Sequence, residues 1–440
     1  MSVSSLNSAQ LDPDTKGTAV SNSATPHDAK FLGGAAKALS ITNTTSAGVG
    51  PRPGDRVVPI RASTSGLSNQ RRLRVMLLGM RGFPDVQGGV EKHTEKLALA
   101  LTKLGCEVEA VVRNDFVSKG TTSWNDIRIV RIWNSRTKGV ETFVHTLFGV
   151  LYAAWRRPDV LHIHGIGPAI FAPLARVLGL RVVVTYHSLN YEHAKWGPFG
   201  RAVLRMGEWF GMAFSNGRIA VSGELQKRMN QTYGARVDKI PNGIAKPDFV
   251  PTTDILQAFG LSAKRYALTV ARIDEEKRLL DLIVAYAHIP NPGFKLALVG
   301  QADHVGPYAR AVDEAARQTP GVILLGRQIG KALGELYTHA GVFVLPSSHE
   351  GQPLVVLEAA SYGLPAILSD IPAHRELAVS GARYFAVGDV AALKRELWNY
   401  FTAPFLPKIS TEDRLRVIAK HDWDDIAHKT LDVYFAACSA

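Results

Sequence analysis

The sequence predicts an α/β protein built as two wound halves, and three observations carry that expectation. From Leu73 onward, short β-branched runs alternate with amphipathic stretches, the pattern of parallel sheets covered by helices. The alternation breaks at "IPNGIAKPDFVPTTD" (240–254), whose three prolines and Asn-Gly pair are linker chemistry. It then restarts, and 440 residues are enough for two domains that each bury a core.

Residues 1–70 are rich in Ser, Thr, Ala, Gly and Pro without periodic apolar spacing, so they read as a disordered arm. The first domain is expected over 71–243. There "LRVMLLG" reads as a strand and "VEKHTEKLALALTKLG" as a helix stopped by Gly105. Further strands are expected at "EVEAVVR", "DVLHIH", "RVVVTYH" and "RIAVS". The stretch "FVHTLFGVLYAAW" (143–155) falls short of the roughly 20 apolar residues of a membrane span and reads as a buried helix. The second domain is expected over 244–417, with strands at "YALTVAR", "FKLALVG", "GVILLG", "GVFVLP" and "PAILSD". Residues 418–440 carry the amphipathic "DWDDIAHKTLDVYFAA", expected to pack back on the first half.

Composition narrows the partner. Fifty-one basic against 39 acidic residues give a net charge of +12, which favours an anionic ligand, an anionic membrane face or nucleic acid. No nucleic-acid module is recognised and the apolar runs leave little basic patterning, so nucleic acid is set aside. Two cysteines, Cys106 and Cys438, make no disulfide framework and suit a reducing cytosol. No basic region followed by an apolar one opens the chain. A cytoplasmic location is therefore expected.

In open parallel sheets, ligands bind beyond the carboxyl ends of the strands, and two facing sheets make a cleft. After the first strand comes "GMRGFPDVQGGVEKH" (79–93), a glycine-bearing loop before a helix start. Such a loop admits an anion, although it lacks both GxGxxG and GK[ST]. On the residues alone Gly88 and Gly89 read equally as a tight turn or a phosphate cradle. After "YALTVAR" come Arg272 and Lys277, two cations able to hold a pyrophosphate. A solvated loop paired with Asp274, Glu275 and Glu276 is the simpler reading of that segment alone. His187 follows "VVVTY", and His162 and His164 share one face of a strand. A metal reading of that pair is set aside, because no Cys or carboxylate at ligand spacing accompanies it.

The stretch "HEGQPLVVLEA" (349–359) poses the sharpest question. Glu358 sits in an apolar helix, where an unpaired carboxylate costs several kcal/mol. Pro353 suits the helix start and Gly363 its stop. Glu350 then lies just ahead of the helix, with Glu358 roughly 7 to 8 Å along it from Pro353. The N–H groups of Gly351 to Leu354 face the cleft between them. A nucleotide sugar matches this layout, with sugar hydroxyls at Glu350, phosphate at the helix start and the ribose diol at Glu358.

"HEGQPLVVLEA" resembles the E-x7-E motif of retaining glycosyltransferases of family 4, which have the GT-B fold of two Rossmann-like domains facing across a cleft. "VARIDEEKR" is similar to the family's Arg-x4-Lys phosphate element, "IPNGI" to its hinge, and "GVFVLPS" to the strand before the first glutamate. "GMRGFPDVQGGVEKHTEKLA" and "VVVTYHSLNYEHAKWG" resemble a bacterial exopolysaccharide and capsule branch, and the likeness runs from about Leu73 to Ala437. The resemblance implies a metal-independent hexosyltransferase that uses a nucleotide-sugar donor and no other cofactor. Its acceptor would be a saccharide or a polyprenyl-diphosphate-linked saccharide. Glu350 would orient the donor sugar and His187 contact it. Glu358 would hold the ribose, Arg272 and Lys277 the diphosphate, and Gly88 and Gly89 would close on it from the other half. Ser188 and "YEHAKW" depart from the branch, which puts the acceptor assignment in question.

One stretch bears on location. "KWGPFGRAVLRMGEWFGMAF" (195–214) places Trp196, Phe199, Leu204, Trp209 and Phe210 beside Lys195, Arg201 and Arg205. It reads evenly as a membrane-surface helix or as a helix burying its apolar face. Among other functions, a nucleotide-sugar epimerase shares the two-domain architecture but would bring its own carboxylate set. A silent lectin-like relative would not need intact Arg272, Lys277, Glu350 and Glu358.

Overall fold

Parallel strands buried on both faces require continuous apolar runs, and the expected runs form the strands. The computed structural model describes residues 72–135, 140–192, 196–290, 293–403 and 409–439; the arm expected over 1–70 lies outside them. The first half contributes β1 (Arg74–Leu78), β2 (Glu107–Arg113), β3 (Ser123–Trp124), β4 (Ile127–Ile132), β5 (Val160–His164), β6 (Val182–Tyr186), β7 (Gly217–Ala220) and β8 (Asp238–Lys239). Their sheet order is β3-β4-β2-β1-β5-β6-β7-β8, parallel except for the β3–β4 pair. The second half contributes β9 (Tyr266–Val270), β10 (Lys295–Val299), β11 (Val322–Leu324), β12 (Val342–Leu345), β13 (Ala366–Ser369) and β14 (Arg383–Phe385). They form an all-parallel sheet in the order β11-β10-β9-β12-β13-β14.

Sheet order locates the crevices. The first sheet grows outward from β1 through β2 to β4, then returns to lay β5 on the other side of β1. The second does the same, with β12 returning to the far side of β9. Each reversal opens a crevice at the strand ends. The loop after β1 and His164 stand at the first reversal; Arg272 and the Ser347–Glu350 loop stand at the second.

Strand β4 is absent from the sequence expectation, because Arg128 and Arg131 interrupt its apolar run. The two-residue strands β3 and β8 and the three-residue β14 are too short to show a period.

The chain crosses between the halves twice, at one place. Outbound, it passes through Ile240–Ile244; returning, it passes through His421 and Trp423. His421 Nδ1 meets the Asn242 carbonyl at 2.7 Å, and Ile244 N–H donates to the His421 carbonyl at 2.9 Å. A Cβ on Gly243 would come within 2.5 Å of the Trp423 ring, so the close crossing requires glycine there. The helix Trp423–Ser439 then lies against the helix Gly89–Lys103, where Ile426, Ala427 and Tyr434 enter the core of the first half.

The helix Val140–Arg156 forms where expected but is not buried all round. His145, Val150 and Ala153 face the core, whereas Phe143, Phe148, Leu151 and Trp155 are exposed. Its apolar composition exceeds what one core-facing stripe can bury. Among the described residues no helix is long and apolar enough to cross a membrane.

Candidate active site

Strand β12 ends at Leu345, and the loop that follows carries Glu350 before the helix Leu354–Ser361 begins. Glu350 is largely buried and receives the Lys277 ammonium at 2.6 Å. Lys277 comes from the short turn Glu275–Lys277 that follows β9, the neighbouring strand. Burial alone would raise the Glu350 carboxyl, but Lys277 and nearby His374 outweigh it and hold the group below its ordinary value. Glu350 is therefore an anion at neutral pH, fixed by an ion pair formed within the second half.

Glu358 occupies the same helix, and its burial has a protein answer. It pairs with Lys92 from the first turn of the helix Gly89–Lys103 in the other half. The Tyr337 hydroxyl donates to its second oxygen at 3.1 Å. Burial, together with the Glu358 charge, pushes the Tyr337 phenol well above its ordinary value, so it remains a donor. The charge of Glu358 was expected to find its partner in the ribose of a bound nucleotide sugar; here Lys92 from across the cleft pairs with it.

Arg272 likewise engages carboxylates. It bonds Asp303 at 2.7 Å and approaches Asp274 at 3.9 Å. Asp303 is shared with Arg81 from the first half at 2.9 Å, and Arg81 also bonds Glu91 at 2.9 Å. Burial opposes the charge of both arginines, but Glu91 and Asp303 prevail for Arg81, and Asp303 prevails for Arg272. Burial would raise Asp303, yet the two guanidinium groups keep it below its ordinary value. Two arginines on one aspartate leave several N–H donors for other acceptors.

The glycine-bearing loop reaches the second half at three further points. Gln87 donates to the Gln301 carbonyl at 3.2 Å, Arg327 donates to the Asp85 carbonyl, and Lys92 meets Glu358. Gly88 has φ of 151°, and a Cβ there would lie 1.9 Å from the Glu91 carboxylate. The turn thus demands glycine for its own reasons. Gly89 opens a helix whose start has no side-chain cap, and it faces open space. The helix Leu354–Ser361 also lacks a side-chain cap; Leu354 buries its side chain and contributes only its backbone there.

Gly351 closes the other side. A Cβ on it would sit 1.6 Å from the His187 carbonyl, so the Glu350 loop presses directly on the end of β6. Asn242 of the hinge binds this loop twice, through Gln352 Oε1 at 2.6 Å and the Gln352 carbonyl at 3.0 Å. Beside Glu350, a cavity of about 290 Å³ is lined by Glu192, Ser222, Leu225 and Arg228 from the first half and by Gly351 and Ile371 from the second.

His187 does not stand alone. Its Nε2 meets His164 Nδ1 at 3.1 Å, and His93 lies edge-on to it with ring centroids 4.8 Å apart. His162 and His164 share one face of β5 as their spacing predicts, with centroids 4.0 Å apart. His162 is satisfied by the Tyr434 and Thr185 hydroxyls, both at 2.7 Å. Burial lowers His162 to about 3 and His93 to about 4, and holds His164 and His187 well below the ordinary histidine value. One ring nitrogen each from His93, His164 and His187 lie within 4.8 Å of one another, a spacing able to hold a metal ion.

The chain matches two glycosyltransferase families in tandem. Residues 87–246 match Glycosyltransferase Family 4, and residues 253–408 match Glycosyl transferases group 1. This chain is a GT-B glycosyltransferase. Glycogen synthase of Mycobacterium tuberculosis is 26% identical over 408 residues, covering 83% of this chain and 95% of the relative. The fold of the transferase superimposes on sucrose-phosphate synthase of Thermosynechococcus elongatus with TM-score 0.72 at 21% identity, covering 83% and 98% of the two chains. It also matches Anabaena HepE, solved in complex with UDP and glucose, with TM-score 0.67 at 18% identity, covering 82% and 99%.

The structure joins Glu350 to Lys277 and sets His187 against Gly351, while Arg272 belongs to a separate aspartate-centred group. Sequence reasoning missed Arg81, Lys92, His93, Asn242 and Asp303. Arg81, Lys92 and His93 lie inside the quoted loop, where attention to glycines passed over the charges. Asp303 follows β10 at the strand end, the position where ligand groups gather.

Lys92 has 41% of its side chain exposed and Glu358 12%, so solvent weakens their attraction. A double-mutant cycle with Lys92→Met and Glu358→Gln in chemical unfolding should give a coupling of about 1 kcal/mol. A coupling near zero would show that the pair does not hold the halves together.

Proposed function

We propose that the transferase moves a hexose from a nucleotide-sugar donor to a saccharide, or to a polyprenyl-diphosphate-linked saccharide, with retention of configuration. The observation that carries this reading is the Glu350–Lys277 pair, set in a loop whose Gly351 meets the His187 backbone carbonyl and which leads into the helix bearing Glu358. Glu350 accepts hydroxyls of the donor sugar, and the imidazole of His187 contacts the same sugar. The ribose diol takes the place of Lys92 at Glu358. Likeness to HepE, solved in complex with UDP and glucose, supports a donor of this type.

Breaking the sugar–phosphate bond builds negative charge on the diphosphate and positive charge at the anomeric carbon. Cations and N–H dipoles placed beforehand stabilise the former, commonly the largest catalytic contribution. Arg272, Lys277 and Arg81 supply that positive charge from both halves, in the role a bound metal plays elsewhere. Gly88, Gly89, Gly351 and Leu354 add backbone N–H groups at two helix starts. The Glu350 carboxylate stabilises the positive sugar, and the acceptor hydroxyl attacks from the face the diphosphate leaves, passing its proton to the departing phosphate oxygen. The cavity beside Glu350 receives the acceptor, and Glu192 in it belongs to the segment that departs from the resembling branch.

The acceptor class suggests work in exopolysaccharide or capsule assembly at the cytoplasmic face of the membrane. Surface chemistry supports peripheral attachment. The helix Pro198–Phe214 buries Leu204, Gly207 and Gly211, but leaves Phe199 83% and Trp209 51% exposed. Arg201 and Arg205 are exposed beside them, whereas Lys195 lies outside the described residues. The helix therefore serves both readings of its sequence, with one face in the core and the other offered to lipid.

Glu350→Gln should lower turnover about 100-fold or more while nucleotide binding survives. Lys277→Ala should in addition weaken nucleoside diphosphate binding by at least about tenfold. A near-normal rate for the first, or unchanged affinity for the second, would contradict these roles. Isomerised donor formed without acceptor would instead favour an epimerase. In flotation with phosphatidylglycerol vesicles at low salt the wild type should rise with the lipid, and a Phe199→Ser/Trp209→Ser variant should stay behind. Wild type remaining at the bottom would refute membrane attachment.

A further inference from the structure

We propose that His93, His164 and His187 form a binding site for a divalent transition-metal ion of the zinc class, and that the ion competes with the donor sugar for His187. One nitrogen from each ring lies within 4.8 Å of the others, and the His164–His187 pair is already at 3.1 Å. Zinc–imidazole bonds of 2.0–2.1 Å place tetrahedral ligand nitrogens roughly 3.3 Å apart. The widest nitrogen separation, up to 4.8 Å, therefore has to close by about 1.5 Å on binding.

The donor set selects the ion. Three imidazoles suit zinc, cobalt, nickel or copper, whereas magnesium and calcium require oxygen ligands. At the pH of the test an ordinary imidazole is mostly neutral, so a lone pair is open to an ion. His93 and His164 are 3% and 1% exposed. Nδ1 of His164 faces Nε2 of His187, and among the described residues His93 Nδ1 has no hydrogen-bond partner. Buried nitrogens of this kind ordinarily find one. His162, two residues from His164, has both nitrogens engaged by Tyr434 and Thr185 and stays outside the ligand set.

The HxH pair itself does not hold the ion, since His162 is engaged elsewhere; His164 instead meets two histidines that the spacing did not indicate. His93 comes from the helix after the glycine loop and His187 from the end of β6, neither at a ligand spacing from His164 in sequence. His187, the more exposed of the three, marks the side from which an ion enters. This places ion and sugar in competition for one imidazole, a consequence that rests on the proposed role of His187 in donor binding. The ion is an inhibitor of transfer and supplies no step in it.

The test uses the full chain without a polyhistidine tag, stripped of metal, and titrated with Co²⁺ near pH 7.5. The wild type should develop the visible d–d bands of a low-coordinate nitrogen site and saturate at one ion per chain. His93→Gln and His164→Gln should each weaken binding at least tenfold, and the surface variant His304→Gln should not. Absence of bands, or bands that survive both cluster substitutions, would overturn the proposal. Zn²⁺ should also raise the melting temperature of the wild type, because an ion that binds the folded chain alone stabilises it; no rise would overturn the proposal without relying on any variant. Zn²⁺ should slow transfer in a manner relieved by excess donor, and inhibition indifferent to donor would overturn the competition. The cobalt and thermal measurements need no turnover, so a failure of the transferase reading is distinguishable from a failure of the metal site.

Discussion

A carboxylate withdrawn from water needs a compensating partner, and carboxylates at the cleft take a cation for it. Glu350, Glu358 and Asp303 each do so, through Lys277, Lys92 and the Arg81–Arg272 pair. Two of these three contacts bridge the halves. The same groups that the proposed function assigns to a nucleotide sugar thus clamp the protein to itself. On that reading, ligand binding would be an exchange of partners in which Lys92, 41% exposed, is released toward water, whereas Lys277 and Glu350 would need no such exchange.

The fold makes this economical. Both sheets reverse their strand order at the centre, so each offers a crevice at its strand ends. The loops entering those crevices come from adjacent strands, which explains why Lys277 after β9 meets Glu350 after β12. Tight approach at Gly351 against His187 and at Gly243 against the Trp423 ring joins the two halves beside the hinge, where Asn242 also binds Gln352. Glu376 adds a third tie: it accepts the N–H groups of Gly223 and Glu224 and pairs with Lys239 at 2.7 Å, all from the first half.

Much of this was legible in the sequence. The long apolar strands announced themselves, because buried parallel strands cannot afford interruptions, and Glu350, Glu358 and His187 stood just past strands or on the helix that follows one. Strand β4 was hidden by its arginines, and the exposed face of Val140–Arg156 by an apolar composition that resembles a core helix. What no spacing could convey was pairing across the cleft. Lys92 lies 266 positions from Glu358, and Arg81 more than 200 from Asp303. Those contacts depend on how two domains meet, which a local pattern does not encode. Nor did the HxH pair reveal the histidines that gather at His164, since His93 and His187 arrive from other elements of the same half.

The central claim is that Glu358 exchanges Lys92 for a ribose while Glu350 keeps Lys277 and gains a sugar. A crystal structure of the transferase with an intact nucleotide sugar tests it most directly. The account predicts the ribose diol on Glu358 with the Lys92 ammonium withdrawn, the hexose hydroxyls on Glu350, and the diphosphate between Arg272, Lys277 and Arg81. A nucleotide bound elsewhere, with Lys92 still on Glu358, would contradict it.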